Sequence, residues 1–183
     1  MTQEETGAIR AACLTHAGTD PAAIAQQLMA HPAIAIHGPA HHFLDGAALL
    51  TALRNAGAEI DLPAALDELC RRAEGMPGAA CGLWGVCGAA ASVGAALSIL
   101  HQTGPLSSDR YYGDHLRLTA DILRRMGEAG GPRCCKRHAF LALSAAAEFV
   151  RREYGIALTL APIRCPFSAQ NAQCLGPRCP FHP

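Results

Sequence analysis

The chain has 183 residues, of which half are hydrophobic, and its 15 basic and 15 acidic residues give a formal net charge of zero. This length suits one domain with one hydrophobic core. The balanced charge gives no electrostatic basis for binding nucleic acid or an anionic membrane surface, because both require concentrated Lys and Arg. We therefore expect neither nucleic acid nor a membrane among its partners.

The first third of the chain predicts three helices. Residues 4–16 and 21–30 have helical patterns, and Asp20 is placed to cap the second. A third helix is predicted to start at Pro39 and to end at Gly57, because glycine commonly ends a helix. The N-terminus has no basic start leading into an apolar run, so we expect no signal peptide and predict a cytoplasmic location.

The stretch between residues 75 and 100 contains no charged side chain. It is long enough to cross a bilayer, which takes about 20 apolar residues, so a membrane span is one interpretation. Its residues are mostly Gly, Ala and Ser, which makes it weakly hydrophobic, and glycine and proline interrupt its start. We therefore favour a buried helix that begins near residues 84–87 and ends at about His101.

Three further helices are predicted around this stretch. One lies before it, at residues 61–75, and another lies after it, at residues 110–127. The last starts at Pro132 and ends near residue 154. Residues 156–163 alternate like a β-strand, but no partner strand is evident.

These elements predict a mostly α, single-domain helical bundle of six or seven helices. The Gly/Ala-rich helix from Cys87 to His101 is expected at its centre, since small side chains allow neighbouring helices to approach closely. We divide the chain into N-terminal helices (1–34), a helical core (35–160) and a cysteine-rich C-terminal tail (161–183).

The chain contains nine cysteines, an odd number that excludes complete internal pairing. In a reducing compartment, cysteines are more often metal ligands or catalytic thiols than disulfides. Cys13 and Cys70 lie within helical patterns among Ala and Leu, which indicates core thiols. The other seven form three groups, each in a loop or at a predicted helix start.

The first group is Cys81 and Cys87 in the sequence CGLWGVCG. Six residues apart, they cannot share one face of a continuous helix. Both can reach one site only if the glycine-rich segment between them is a loop and the helix begins around Cys87. We predict that they bind a cofactor or metal; the alternative is two small buried residues in a tightly packed helix.

The second group is Cys134 and Cys135 in GGPRCCKRH. With Pro132 in the first helical turn, both thiols would lie near the positive end of the helix dipole, among flanking cations. Both effects favour the thiolate, which binds metals and attacks electrophiles. Adjacent helical residues diverge, so we expect one cysteine to act as ligand or nucleophile and the other as a backup or core residue. The flanking cations are Arg133, Lys136 and Arg137.

The third group is Cys165, Cys174 and Cys179, spaced C-x8-C-x4-C in the tail. A thiolate-rich loop suits an iron–sulfur cluster or zinc. Two of these cysteines precede proline, a step that recurs at ferredoxin-type cluster ligands. The spacing itself matches neither common zinc fingers nor ferredoxins, so it predicts a metal more strongly than it predicts which metal.

Four histidines occur within the twelve residues HPAIAIHGPAHH. His37 precedes a Gly-Pro turn, and His41 and His42 fall in the first turn of the next predicted helix. Histidines at a helix start are well placed for acid–base catalysis or metal binding. The alternative is ordinary surface or core imidazoles. Among the other histidines, His138 is the strongest candidate because it follows the Cys134/Cys135 pair by one turn.

Four blocks of the chain together resemble a prokaryotic, cysteine-rich family of unknown function. The blocks are HGPAHH (37–42), CGLWGVCGAA (81–90), GGPRCCKRHAFLAL (130–143) and NAQCLGPRCPF (171–181). Members of that family occur alone or attached to methyltransferase or radical S-adenosylmethionine modules in anaerobes and methanogens. The resemblance implies that the blocks belong together, and it implies no settled activity. By analogy it favours an anaerobic, iron–sulfur or one-carbon context and a methyltransferase or radical S-adenosylmethionine partner.

Our leading hypothesis is a cytoplasmic protein that binds a [4Fe–4S] cluster through the three tail cysteines. A fourth ligand either is absent or comes from one of the other two groups, namely Cys81, Cys87, Cys134 or Cys135. With three cysteines, one iron stays open and can bind a sulfide, thiol or hydroxyl of a small, for example sulfur-containing, substrate. Sulfur transfer, desulfuration or a lyase reaction would follow, with His37, His41 or His42 moving protons.

Two other classes of function are consistent with the sequence. The tail could be fastened to the helical core by a structural zinc ion, with the remaining thiols passive. Alternatively, the protein could be a thiol redox or metal-handling protein that acts through Cys134 and Cys135 without a cluster.

Overall fold

The computed structural model describes residues 1–183 and contains eight α-helices and no β-strand. The helices are α1 (Gln3–Thr15), α2 (Pro21–Met29), α3 (Ala40–Asn55), α4 (Leu62–Glu74), α5 (Ala80–Leu83), α6 (Gly88–Leu100), α7 (Arg110–Ala129) and α8 (Cys135–Tyr154). After α8 the tail has two short 3-10 turns, Ser168–Gln170 and Gly176–Arg178. The prediction of a mostly α, single-domain protein is confirmed.

The helix starts follow local capping chemistry. Asp20 accepts hydrogen bonds from the first two free N–H groups of α2, and Asp61 accepts one from Ala64 in α4. At the N-terminus, Thr2 and Glu5 form a reciprocal capping box. Both predicted aspartate caps are therefore confirmed, and they set where these helices begin.

One local prediction is wrong, and one pattern has no counterpart in the structure. Residues 156–163 alternate like a β-strand but form none, in keeping with the absence of a partner strand in the sequence. Helix α8 begins at Cys135 and not at Pro132, so Cys134 is its N-cap. This difference directs the two neighbouring thiols to opposite sides of the helix start.

Helices α3 and α6 occupy the centre of the bundle and pack on each other. Every residue of α3 from Phe43 to Leu53 is buried, because α3 is enclosed by α1, α2, α4, α6 and α8. The Gly/Ala-rich helix α6 packs on α3 and also contacts α4, α7 and α8. The α6 half of the uncharged stretch is therefore core, whereas most of residues 75–87 are exposed. No helix of the structure is both long and apolar enough to cross a membrane.

The close contact of α6 with α7 depends on Gly94. A side chain added there would overlap the hydroxyl of Thr119, which is itself hydrogen-bonded to the carbonyl of His115. We expect Gly94→Leu to destabilise the protein by about 1–3 kcal/mol through overpacking. Chemical denaturation monitored by circular dichroism measures this change. The matched control is Gly7→Leu, on the open face of α1, which should leave the stability of the protein unchanged or slightly raised. Equal stability of the two variants would contradict the expected packing of α6 on α7.

Candidate functional site

The start of α8 separates two cavities that together are lined by all seven grouped cysteines. The tail cavity lies between α8 and the C-terminal tail, and it is lined by Cys134, Cys165, Cys174 and Cys179. The inner cavity lies among the starts of α3, α6 and α8, and its thiols are Cys81, Cys87 and Cys135. The three sequence groups thus converge on one region, as predicted, but around two cavities and not at one shared site.

The tail cavity combines its four thiols with apolar walls. Phe140 of α8 and Phe181 of the tail line it, and their rings pack edge to face with centroids 5.4 Å apart. A backbone hydrogen bond from Cys165 N–H to the carbonyl of Phe181 (2.8 Å) joins the two ends of the tail segment. The tail therefore folds back on itself and closes the cavity against α8.

Hydrogen-bond donors point at the sulfur atoms of this cavity. Cys134 Sγ accepts from the N–H of Arg137 and from Asn171 Nδ2, each at 3.4 Å. Cys174 Sγ accepts from the N–H of Gly176 at 3.4 Å. Such donors stabilise a thiolate over a thiol. Burial acts in the opposite direction at Cys165, where desolvation raises the pKa of the thiol.

Two fully buried cations lie next to the tail cavity. Lys136 is 0% exposed and Arg137 is 2% exposed, yet neither forms an ion pair with a carboxylate. Lys136 Nζ donates to the carbonyl of Ala35 (3.4 Å) and to His41 Nε2 (3.2 Å), and it lies over the ring of Phe167. Buried charges are normally paired, so these cations favour negative charge on the neighbouring sulfur atoms.

The inner cavity has a volume of about 80 Å³ and contains a carboxyl group without a partner. Asp45 of α3 is 0% exposed, and neither of its oxygens forms a hydrogen bond. Burial raises the pKa of Asp45 well above its ordinary value, and the positive charge of Lys136 opposes that rise. An unsatisfied buried carboxyl group is uncommon and calls for a ligand or a functional role.

A thiol and an imidazole form a pair on the wall of this cavity. Cys87 Sγ lies 3.1 Å from His138 Nδ1. Burial raises the pKa of Cys87 to about 12 and lowers that of His138 to about 4. Both groups are therefore neutral at physiological pH, and one proton lies between Sγ and Nδ1.

The inner cavity opens onto a groove between α5 and α7. Cys81, Arg133 and His138 line both spaces, and the groove continues along Leu123 and Met126 of α7. A small molecule in this groove could therefore reach the inner cavity past Cys81.

The glycine Gly88 makes room for a histidine on the opposite wall. A side chain at Gly88, the first residue of α6, would overlap the ring of His42. Burial lowers the pKa of His42, so the ring is held neutral against the backbone of α6. In the structure, no group of three or more His, Cys, Asp or Glu side chains is already arranged to hold a metal ion.

The comparison with known protein families gives one match, which covers the four sequence blocks at residues 37–42, 81–90, 130–143 and 171–181. The family described as "Family of unknown function (DUF5714)" matches residues 9–182, almost the whole chain. The chain belongs to this family. We found no matching protein of curated function and no matching solved structure.

The DUF5714 chain places its three predicted catalytic histidines differently. His37 lies between the two cavities, where Nδ1 accepts from the N–H of Cys135 (3.3 Å) and Nε2 donates to Asn171 Oδ1 (3.0 Å). His41 is buried beside Lys136, and desolvation lowers its pKa to about 3. His41 and His42 both line the inner cavity, and the buried Nδ1 of each has no hydrogen-bond partner.

Burial opposes an acidic thiol at Cys135, so the prediction of a reactive thiolate there stays a prediction. Desolvation raises the pKa of Cys135, and the guanidinium of Arg133 only partly opposes this rise. Of the other two flanking cations, the buried Lys136 also interacts with Cys135 through its charge. Cys13 is buried in the core, as predicted, and Cys70 packs against the core from α4.

Two residues of these cavities were not predicted from the sequence. Asp45 was detectable as the one carboxylate in the otherwise apolar run FLDGAALL. Asn171 bonds both His37 and Cys134 and so connects the two cavities. No sequence pattern marks Asn171, because its partners are far away along the chain.

Proposed function

We propose that the protein binds a [4Fe–4S] cluster in the tail cavity, through Cys134, Cys165, Cys174 and Cys179. The observation that carries this proposal is that four thiols, three from the tail and one from the cap of α8, line one cavity with apolar walls. Thiolates are the usual ligands of such clusters. The open question of the fourth ligand is answered by Cys134 in this proposal.

The charge of the surroundings supports the proposal. A cluster with four thiolate ligands carries net negative charge, and Lys136 and Arg137 are buried cations without a carboxylate partner. The cluster would supply the missing counter-charge in a region that excludes water. Hydrogen bonds from N–H groups to cluster sulfurs, of the kind already made to Cys134 and Cys174, also tune cluster potential and stability.

The local sequence pattern favours a cluster over a single ion, and the tail cavity, with a volume of about 10 Å³, would have to widen to hold one. Four sulfurs around one zinc ion lie about 2.3 Å from it and therefore close to one another. Four thiols that line one narrow cavity satisfy the ligand number of either group, so ligand number alone does not separate a cluster from zinc. The two Cys-Pro steps, at Cys165 and Cys179, add the local pattern of ferredoxin-type ligands.

Four thiol ligands leave no open iron, which limits what this cluster can do. We propose that it transfers electrons or holds the tail on the core, and that substrate chemistry takes place at the inner cavity. The sequence predicts sulfur transfer, desulfuration or lyase activity at an open cluster iron, and with four thiol ligands we move that proposed chemistry to the inner cavity. A cytoplasmic, anaerobic setting and a methyltransferase or radical S-adenosylmethionine partner are part of the same proposal.

Metal analysis of anaerobically purified protein tests the proposal. We expect a brown protein that absorbs near about 400 nm and contains about four iron and four sulfide per chain. Cys174→Ser and Cys165→Ser are expected to lose most of both, because each removes a ligand. Cys70→Ser, a thiol of α4 outside both cavities, is the control and should retain the wild-type iron content.

Other outcomes support the other classes of function. A colourless protein with one zinc ion, lost in the same two variants, would indicate a structural zinc site. A protein without metal, whose Cys134 and Cys135 react rapidly with alkylating reagents, would indicate thiol redox chemistry. Iron that is retained in both Cys165→Ser and Cys174→Ser would place the cluster elsewhere.

A further inference from the structure

The inner cavity contains donor atoms that the cluster proposal leaves unused. Cys87 and Cys135 come from the starts of α6 and α8, His138 lies one turn into α8, and Asp45 comes from α3. Asp45 is fully buried with both oxygens unpartnered. A buried carboxyl group without a partner requires either a proton or a nearby cation, and here it lies among soft donors.

The Cys87–His138 pair has nearly the spacing of neighbouring ligands on one metal ion. Zinc binds sulfur at about 2.3 Å and imidazole nitrogen at about 2.0 Å, so adjacent tetrahedral ligands lie about 3.5 Å apart. The observed distance from Cys87 Sγ to His138 Nδ1 is 3.1 Å. Replacing the shared proton with a metal ion therefore needs only a small movement of these two side chains.

We propose that the inner cavity is a second metal site, which binds one divalent transition-metal ion of the zinc class through Cys87, Cys135, His138 and Asp45. Two thiolates, one imidazole and one carboxylate are a donor set that zinc accepts. The cavity volume of about 80 Å³ accommodates the ion. This site is independent of the cluster, because it shares no ligand with the tail cavity.

Metal binding at this site requires local rearrangement. The side chains are not yet arranged around one point, so Cys135 and Asp45 must turn toward the Cys87–His138 pair. Both thiols must release their protons, which makes the affinity fall at low pH. Cys81 stays at the mouth, where the cavity meets the groove, so a molecule in the groove would approach the ion from that side.

Cobalt(II) titration tests the second site, because tetrahedral cobalt with thiolate ligands has characteristic charge-transfer and visible bands. The protein should carry its reconstituted cluster, and iron and cobalt are counted in the same sample. We expect one Co²⁺ per chain in wild-type protein. Asp45→Asn keeps the shape of the side chain and should weaken cobalt binding by about tenfold or more, while Cys135→Ser should abolish the thiolate bands.

The tail variant separates this proposal from the cluster proposal. Cys174→Ser should lose iron but still bind one Co²⁺ with thiolate bands, whereas Asp45→Asn should retain iron. Cys174→Ser keeps three tail thiols, so its thiolate bands report the inner cavity only if they disappear when Cys135→Ser is added. The second site is disproved if wild-type protein gives no tetrahedral cobalt spectrum, or if Asp45→Asn binds cobalt as tightly as wild type.

Discussion

Deletion of residues 164–183 is expected to lower the melting temperature by about 10 °C or more. The deleted segment supplies Phe167, which is 6% exposed, and Phe181, which packs on Phe140. Burial of each phenylalanine contributes about 1.5–3 kcal/mol, and about 1 kcal/mol shifts the melting temperature of a chain of this size by about 2–4 °C. Loss of three metal ligands adds to this, because metal-binding energy is also folding energy.

Two full-length variants separate the contributions of the tail. Cys165→Ser combined with Cys174→Ser removes metal ligands and leaves both aromatic rings in place. Phe167→Ala combined with Phe181→Ala removes the packing and leaves all four thiols. Thermal unfolding followed by circular dichroism should place both double variants between wild type and the truncated protein. A truncated protein with unchanged melting temperature and unchanged metal content would show that the tail is neither packed nor ligated.

Replacement of Gly46 by alanine is expected to destabilise the core by about 3 kcal/mol, the upper end of the usual range for overpacking. A Cβ atom at this position would lie 2.6 Å from the backbone carbonyl oxygen of Ser92 and 2.9 Å from Leu69 Cδ2. The backbone of α6 cannot move away without separating α3 from α6, and the Gly46 N–H also donates to Ser92 Oγ. Urea denaturation measures the loss.

A glycine on a free helix surface provides the control for Gly46. Gly127 in α7 is exposed, and a Cβ atom there would have no neighbour within 4 Å. Gly127→Ala should stabilise the protein slightly, because alanine has the higher helix propensity. If Gly46→Ala were as stable as Gly127→Ala, the close contact of α3 and α6 would be wrong.

The helical fold could be predicted because its signals are local. Asp20 and Asp61 mark helix starts through hydrogen bonds that span only two or three residues. The composition of α6 is also a local signal. Its residues are uncharged and mostly Gly and Ala, and small side chains close together in sequence form a helix surface on which other helices can pack. The alternation at residues 156–163 gave no strand, because strand pairing depends on a partner from elsewhere in the chain.

The cysteine groups could be predicted as functional candidates, but their assignment to cavities could not. Cys134 and Cys135 are adjacent, and whether each faces the tail or the core depends on a helix start that differs by a few residues from the predicted one. A helix turns by about 100° per residue, so this small error changes the direction of both thiols.

The sequence by itself determined the fold class, the three cysteine groups and their location at helix starts and in loops. Composition, spacing and helix caps are properties of residues that are close together in the chain. Only the tertiary structure brought Asp45 beside Cys87 and Cys135, and Cys134 beside the tail cysteines. It also revealed that Lys136 is fully buried without a carboxylate partner. Burial and the pairing of charges arise from contacts between distant segments, and these contacts exist only after the helices have packed.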